Sequence, residues 1–327
     1  MQKHENYHEI EAENNYELGL ILGTKFKNIA RRLVLEETKK PSWGALVDRS
    51  KEYLAASKKF FPDYVSELEG YAKGAEIDFK ELWARSLEDE LEEAEKCTTF
   101  ATNGGATLAH NEDFDFGADP ASSLCVLKKK IDKLTILEIY YFCTLGGNAV
   151  SVNSYGFAQA INSLSARDRR AGVPRNVIGR FISETKNPEA DFKKVKGVPR
   201  ASGLNHVILN RKGEVWNVES TASELSFSRS GLPFVHTNHY LSDLSRFEAN
   251  LKNGTRRRYE TAVNLVKNSM PEDEIKAVMN DTGYGDKESI MNRHTIAKAI
   301  LDLKDGVAKI WLKRENEKGF IDYDLNF

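Results

Sequence analysis

Hydrophobic and polar positions change their period once along this chain, and the change falls at Cys97. Before it, Leu18, Leu20, Ile21, Phe26, Ile29, Leu33 and Leu35 recur at near-helical spacing, the pattern of an amphipathic helix. Pro41-Ser42 interrupts the pattern. A second helix is predicted over 46–60 and a third over 62–73. Pro62 suits a first helical turn, where its missing N–H has no partner to lose. Asp78 and Glu81 form a capping-box pattern ahead of a helix running to about Glu95. Its last turns, Glu88 to Lys96, are almost all charged, so they read as a solvated helix face or a linker. From Cys97 the period becomes two. Strands are predicted at 97–102, 106–112, 122–129, 134–142, 149–153 and 156–163, and a turn is expected at Asn103-Gly104-Gly105. Pro174 opens a helix through Ile182. Strands resume at 204–210 and 214–219, and another ends at His236. Helices are predicted near 255–268 and 272–280, followed by a hairpin turning at Asp305-Gly306.

Helices first, then strands, then two helices, then strands is an α+β order. It predicts sheets with helices on their outer faces rather than repeated βαβ units. There is no internal repeat and no Pro/Gly/Ser-rich linker, so the chain reads as one structural domain. Within it, 1–96 forms a helical N-terminal segment and 97–327 the strand-rich remainder.

Composition narrows the function classes. The 327 residues carry 47 Lys and Arg against 49 Asp and Glu, so no global field favours nucleic acid or an anionic membrane. The start, Met1 to Asn6, is polar and lacks the apolar core of a secretory signal. No apolar run is long enough for a bilayer span. Cys97, Cys125 and Cys143 are odd in number and widely spaced, which argues against a disulfide framework and against a zinc site. A cytoplasmic location is expected, with no cofactor. The runs Lys128-Lys129-Lys130, Arg167-Asp168-Arg169-Arg170 and Arg256-Arg257-Arg258 lack interleaved aromatics and read as solvated faces. A hard-cation site from Glu112, Asp113 and Asp115 is the rival reading of the acidic end of the second strand. Strand alternation points Glu112 away from Asp113, so no metal is expected.

Four segments carry a family resemblance. Cys97-Thr98-Thr99, a short turn and Asn111-Glu112-Asp113 come first. Gly172-Val173-Pro174-Arg175-Asn176 opens a helix. Asn205-His206-Val207-Ile208 leads through Gly213 to Glu219. His236-Thr237-Asn238-His239-Tyr240 precedes the helix start at Arg256-Arg257-Arg258-Tyr259. In this order they resemble the acyl-CoA:6-aminopenicillanate acyltransferase-like family of N-terminal-nucleophile (Ntn) cysteine hydrolases, and they span most of the chain.

The resemblance implies a four-layer αββα sandwich and cleavage of the chain's own backbone between Lys96 and Cys97. Residues 1–96 then form an α chain or pro-segment and 97–327 a β chain. The cut places an amine and a thiol on one residue, so base and nucleophile arrive together. Cys97 would attack an amide carbonyl to form an acyl-thioester. Asp113 matches the aspartate of the family's Asn-x-Asp segment and would hold the new α-ammonium; otherwise it is a strand-end turn carboxylate. Asn238 matches the asparagine that serves the oxyanion, a role a neutral amide donor suits; otherwise it caps a turn. Arg293 stands about where the family places an arginine near substrate, where it could clamp a carboxylate; an ordinary surface arginine is the alternative. Arg175 is a second candidate of that kind.

Two positions depart from the family. Lys96 replaces the usual glycine before the nucleophile, and glycine eases the strained backbone of an N→S acyl shift. Glu112 stands where an aromatic residue often lines the substrate pocket. The expected reaction is hydrolysis or transfer of the acyl group of a small linear amide. A CoA-dependent N-acyltransferase and an unprocessed Ntn-like binding protein are the alternatives, and an uncleaved hydrolase using His110 or His239 as base is a further one. Expected partners are a small amide or acyl substrate and the chain's own cleaved N-terminal piece. Neither nucleic acid nor membrane is expected, and self-association is left open.

Overall fold

Strand alternation after residue 97 produces two stacked sheets in the computed structural model, which describes residues 2–87, 90, 97–114, 119–249 and 253–327. With strands numbered in chain order, the first sheet runs β1 (Tyr7–Ala12), β4 (Leu124–Ile131), β5 (Leu134–Tyr141), β6 (Val150–Asn153), β7 (Phe157–Leu164), β8 (Gly203–Asn210), β9 (Val215–Ser220) and β10 (Leu225–Arg229). The second runs β11 (Phe234–His236), β2 (Thr98–Thr102), β3 (Thr107–Asp113), β12 (Thr295–Asp302), β13 (Val307–Leu312) and β14 (Ile321–Asp324). Neighbours pair antiparallel except β1 and β4, which are parallel.

Three cores separate four layers. Helices α1 (Asn15–Lys25), α2 (Lys27–Thr38), α3 (Trp43–Phe60), α4 (Pro62–Ala75), α5 (Phe79–Ser86), α6 (Arg175–Ile182) and α7 (Pro188–Lys196) belong to the first helical layer. Leu18, Leu68 and Val177 from this layer pack on Leu127, Ile208 and Trp216 of the first sheet. Val126, Ile139 and Val207 from that sheet's other face meet Leu108, Ala299 and Ile310 of the second. Phe100, Ala109 and Ile300 on the far side of the second sheet meet Ala262, Ile275 and Met279. The last three lie on α8 (Asn253–Leu265) and α9 (Glu272–Met279); the short α10 (Gly285–Glu288) follows. Along a strand, consecutive apolar residues thus serve different cores, because successive side chains leave opposite faces. This is the αββα sandwich expected from the sequence. Among the described residues, no helix is long and apolar enough to cross a membrane.

The structure corrects the sequence reading at several elements. The polar-looking start contains β1, whose Glu9 and Glu11 face Lys128 and Lys130 across the parallel ladder. Cross-strand charge pairs stabilise such an edge, but they hide its alternation. The first helix is two, broken at Phe26. Helix α7 and the edge strands β10 and β14 were not anticipated, being short and half-polar. The run at Lys128–Lys130 is not a solvated face throughout. Lys129 is fully buried on the helix side of β4, with its Nζ 2.6 Å from Glu138 Oε1. The expected end of the fourth helix, 91–96, lies outside the described residues.

Helices α1 and α4 cross with their backbones almost touching. A Cβ at Gly19 would lie 1.8 Å from the Glu67 carbonyl oxygen, and one at Gly70 would lie 2.1 Å from that of Tyr16. The obstruction is backbone, so a side chain must push the helices apart. We predict that Gly19→Ala lowers unfolding stability by about 1–3 kcal/mol, the usual cost of overpacking, read as a fall in urea midpoint. An unchanged midpoint would contradict this packing.

Candidate active site

The β2–β3 hairpin builds the site. Its turn takes left-handed backbone at Asn103, Gly104 and Gly105, a demand that glycine meets most easily. The register sets Thr98 opposite Asn111 and Thr99 opposite His110. Cys97, immediately before β2, therefore faces Glu112. Alternation divides the hairpin's polar residues between two faces. Cys97, Thr99, His110 and Glu112 point between the sheets, while Thr98, Asn111 and Asp113 point toward the outer helices.

On the inner face, Cys97 is 7% exposed. Its Sγ lies 3.7 Å from Glu112 Oε2 and 4.0 Å from the Asp113 carbonyl oxygen. Glu112 Oε2 is also 2.7 Å from His110 Nε2, and Oε1 accepts from the Tyr141 hydroxyl at 2.6 Å. Thr99 Oγ1 donates to Asn162 Oδ1 on β7 at 2.9 Å and lies 2.8 Å from His110 Nδ1. A small pocket opens beside this network, lined by Ser86, Phe114, Tyr141, Thr144, Asn148 and Asn176 among others.

On the outer face, Arg258 of α8 is 2% exposed. Its Nη1 donates to the Cys97 carbonyl at 2.7 Å and to Thr98 Oγ1 at 3.1 Å. Its Nη2 donates to Asn238 Oδ1 at 3.0 Å. Asn238 Nδ2 donates to the Ser163 carbonyl at 3.0 Å, and its backbone N–H to Thr255 Oγ1 at 2.8 Å. Asp113 Oδ2 accepts from Asn292 Nδ2 at 2.6 Å. Asp113 Oδ1 is buried without a hydrogen-bond partner among the described residues.

Burial sets the protonation states. It pushes the Cys97 thiol well above its ordinary range, and the Glu112 and Asp113 carboxylates add to the shift while Arg258 opposes it. Burial also raises the Asp113 carboxyl from 3.8 to about 7, against the pull of the Arg258 guanidinium. Lys298, which neighbours Asp113, is lowered by burial to about 8, with Asp113 opposing the shift. Both shifts disfavour a charge that leaves water.

Of the residues singled out from sequence, Cys97, Glu112, Asp113 and Asn238 come together here. Arg175 is buried at the start of α6, where its backbone N–H donates to Glu90 Oε2 at 3.1 Å. Arg293 is exposed, with its Nε 2.9 Å from His294 Nε2. It is the preceding Asn292 that reaches Asp113. Lys96 and Asp115 lie outside the described residues. His239, offered as an alternative base, lies 3.1 Å from Thr237 Oγ1 through Nδ1. His110, offered with it, sits next to Glu112.

Arg258 is the main omission, and it corrects the reading of the three arginines as one solvated face. Arg256 and Arg257 are exposed, but Arg258 is buried. The available signal was Thr255, Arg258, Ala262 and Val266, a buried stripe at helical spacing that a run of like residues conceals. Tyr141 was also missed, because its link to Glu112 crosses from one sheet to the other.

The comparisons with known proteins follow this geometry. Residues 100–317 match the model of the family described as acyl-coenzyme A:6-aminopenicillanic acid acyl-transferase. The chain is 26% identical to the β-alanyl-dopamine/carcinine hydrolase of Drosophila melanogaster, over 92% of this chain and 84% of that protein. It is 26% identical to the 40 kDa form of acyl-coenzyme A:6-aminopenicillanic-acid-acyltransferase of Emericella nidulans, over 65% of this chain and 62% of that protein. Penicillin V acylase from Agrobacterium tumefaciens aligns with a TM-score of 0.48 at 10% identity, covering 70% of this chain and 86% of its own.

The state of Asp113 predicts how stability varies with pH. Between about pH 4 and 7 the unfolded carboxyl releases its proton while the folded one, held at about 7, retains it. The native state then binds more protons, so this group's contribution to stability falls as pH rises through that window and levels off above it. Asp113→Asn is expected to remove this component. Urea unfolding of the uncleaved chain across that range, as Cys97→Ala with and without Asp113→Asn, checks it, and parallel pH profiles would refute the assignment.

Proposed function

The chain belongs to the acyl-coenzyme A:6-aminopenicillanic acid acyl-transferase family, and from that premise we propose that it is a self-processed cysteine amidohydrolase with Cys97 as its nucleophile. The observation that carries the reading is that Arg258 joins the Cys97 carbonyl to Asn238, while Glu112 and the Asp113 carbonyl flank the Cys97 thiol. Cleavage of the Lys96–Cys97 bond supplies what the intact chain lacks. A buried thiol flanked by carboxylates keeps its proton and is a poor nucleophile. The freed α-amine, with a pKa near ~8, is a base of suitable strength on the same residue.

The reaction then runs in two halves. As Sγ bonds to the amide carbonyl carbon, the thiol proton passes to the α-amine and the carbonyl electrons move onto oxygen. Asn238 Nδ2 donates to that oxyanion. Its Oδ1 is held by Arg258 and one of its N–H groups by Ser163, so its orientation is set before substrate arrives. The α-ammonium returns its proton to the amine nitrogen as the C–N bond breaks, which leaves an acyl-thioester. Water adds to the thioester, and the acid and the thiol are regenerated. Asp113, with its uncommitted buried oxygen, holds the α-ammonium.

We propose a small linear amide as substrate. The name of the fly relative supports an amide joining β-alanine to a small amine. A β-alanyl group carries an ammonium, and Glu112 sets a carboxylate beside the nucleophile where the family often has an aromatic residue. Acyl transfer from CoA is the alternative, and the name of the fungal relative supports it. A reducing, cytoplasmic setting would keep the three free cysteines as thiols. One second reading rests on its own observation. Glu112 Oε2 lies between Cys97 Sγ and His110 Nε2, so an uncleaved chain could pass the thiol proton to that pair.

Intact mass under denaturing conditions separates these readings. The purified protein is expected as two species, 1–96 and 97–327, and Cys97→Ala as one full-length chain without amidase activity. Amidase activity that survives Cys97→Ala would end the proposal. A single full-length species that is active, and inactivated by His110→Gln, would favour the second reading. Full-length protein without activity on amides or acyl-CoA would point to a binding protein. Asn238→Ala is expected to process and to lose about 10²–10³ in kcat, the usual effect of removing an oxyanion donor, in an assay with a β-alanyl amide.

A further inference from the structure

We propose that Cys97 Sγ, His110 Nε2 and Glu112 Oε2 form a three-donor site for a thiophilic divalent cation of the zinc type, and that its occupancy switches the enzyme off. The three ligating atoms lie within 4.8 Å of one another, and all three residues are buried. Thiolate, imidazole and carboxylate are the donors that zinc takes. Sγ and Oε2 stand 3.7 Å apart, close to the roughly 3.5 Å edge of a tetrahedron with a ~2.3 Å zinc–sulfur and a ~2.0 Å zinc–oxygen bond. His110 Nε2 and Oε2, at 2.7 Å, must open by about 0.6 Å, to the roughly 3.3 Å edge set by ~2.0 Å zinc–nitrogen and zinc–oxygen bonds, as a cation replaces the proton between them.

The outer contacts are those of a prepared metal site. His110 is oriented through Nδ1 by Thr99, which is fixed in turn by Asn162. Glu112 is held at its other oxygen by Tyr141. A ligating histidine whose second nitrogen is engaged, and a carboxylate bonded at its free oxygen, are the usual supports of bound zinc. Three protein donors leave a fourth position open, and Tyr141, which holds Glu112, also lines the small pocket with Phe114. The donors come from two strands that alternation and register bring together. Spacing along the chain therefore gives no hint of them. On binding, a Zn–S bond forms and the thiol proton leaves to solvent, and the proton between His110 and Glu112 is released as both become ligands. With its lone pair on the cation, the sulfur cannot attack a carbonyl.

The inhibitory consequence rests on Cys97 being the nucleophile; the binding does not. The test uses the purified full protein as it matures, freed of metal by dialysis against a chelator, with Co²⁺ and Zn²⁺ chlorides as probes. One equivalent of Co²⁺ is expected to give a near-ultraviolet thiolate-to-cobalt charge-transfer band, which one equivalent of Zn²⁺ bleaches. Zinc is expected to block alkylation of Cys97 by iodoacetamide and to abolish amidase activity in proportion to occupancy, with recovery on chelation. The band should vanish in Cys97→Ala, and His110→Gln should weaken cobalt binding by at least about tenfold. The absence of a charge-transfer band in the unmodified protein overturns the site whether or not the variants fold. So does cobalt affinity unchanged in a folded His110→Gln protein. A band with undiminished amidase activity at full occupancy overturns the switch. Amidase activity surviving Cys97→Ala would sink the nucleophile assignment while leaving the cobalt result to be judged separately.

Discussion

A single buried guanidinium ties the site together. Arg258 sits among the helices behind the second sheet with 2% exposure, and a charge taken out of water there is costly unless its donors are satisfied. It meets that demand with the Cys97 carbonyl, the Thr98 hydroxyl and the Asn238 side chain. These partners come from two distant parts of the chain, Cys97-Thr98 and Asn238. Satisfying Arg258 therefore positions the residue before β2, the segment that follows β11 and the first half of α8 in one step.

The hairpin divides its chemistry by face. The thiol and its His110–Glu112–Tyr141 network lie between the sheets, while Asp113 and Arg258 lie behind the second sheet; Asn238 joins the two sides, accepting from Arg258 and donating to the Ser163 carbonyl of β7. Cys97 belongs to both, through its side chain on one face and its main chain on the other. An N-terminal cysteine nucleophile needs this division. The thiol must reach the substrate while its own backbone amine and carbonyl are handled from behind. The inner network has polar atoms in a layer otherwise filled by Leu108, Val126 and Ile139. Its hydrogen bonds run in sequence from Asn162 through Thr99, His110 and Glu112 to Tyr141, with Asn162 Nδ2 left without a partner among the described residues.

Burial disfavours both the thiolate and the Asp113 carboxylate. An uncleaved chain with these two neutral is chemically quiet, which suits a precursor. The same burial that silences the thiol strengthens any charge interaction created later, because a low-dielectric surrounding screens it little. A new α-ammonium beside Asp113 would be such a charge.

The sequence by itself determined the α+β order of elements, because the period changes at Cys97, while the four-layer stacking was implied by the family resemblance. It also determined that Cys97 opens a hairpin with Asp113 at its far end, and that Asn238 follows a strand. Short-range pattern carries all of these. What it could not supply were contacts across layers. Arg258 looked like its neighbours Arg256 and Arg257 until the helix turned it inward. Glu112 read as a residue of uncertain use until the register set it against Cys97 and the first sheet brought Tyr141 to it. Asn292 rather than Arg293 reaches Asp113 because the loop before β12 folds back, a fact with no local signature. Periodicity is written along the chain and survives in one dimension. The partners of a buried polar group are chosen by packing, so only the folded chain decides which side chains of a charged or polar run meet.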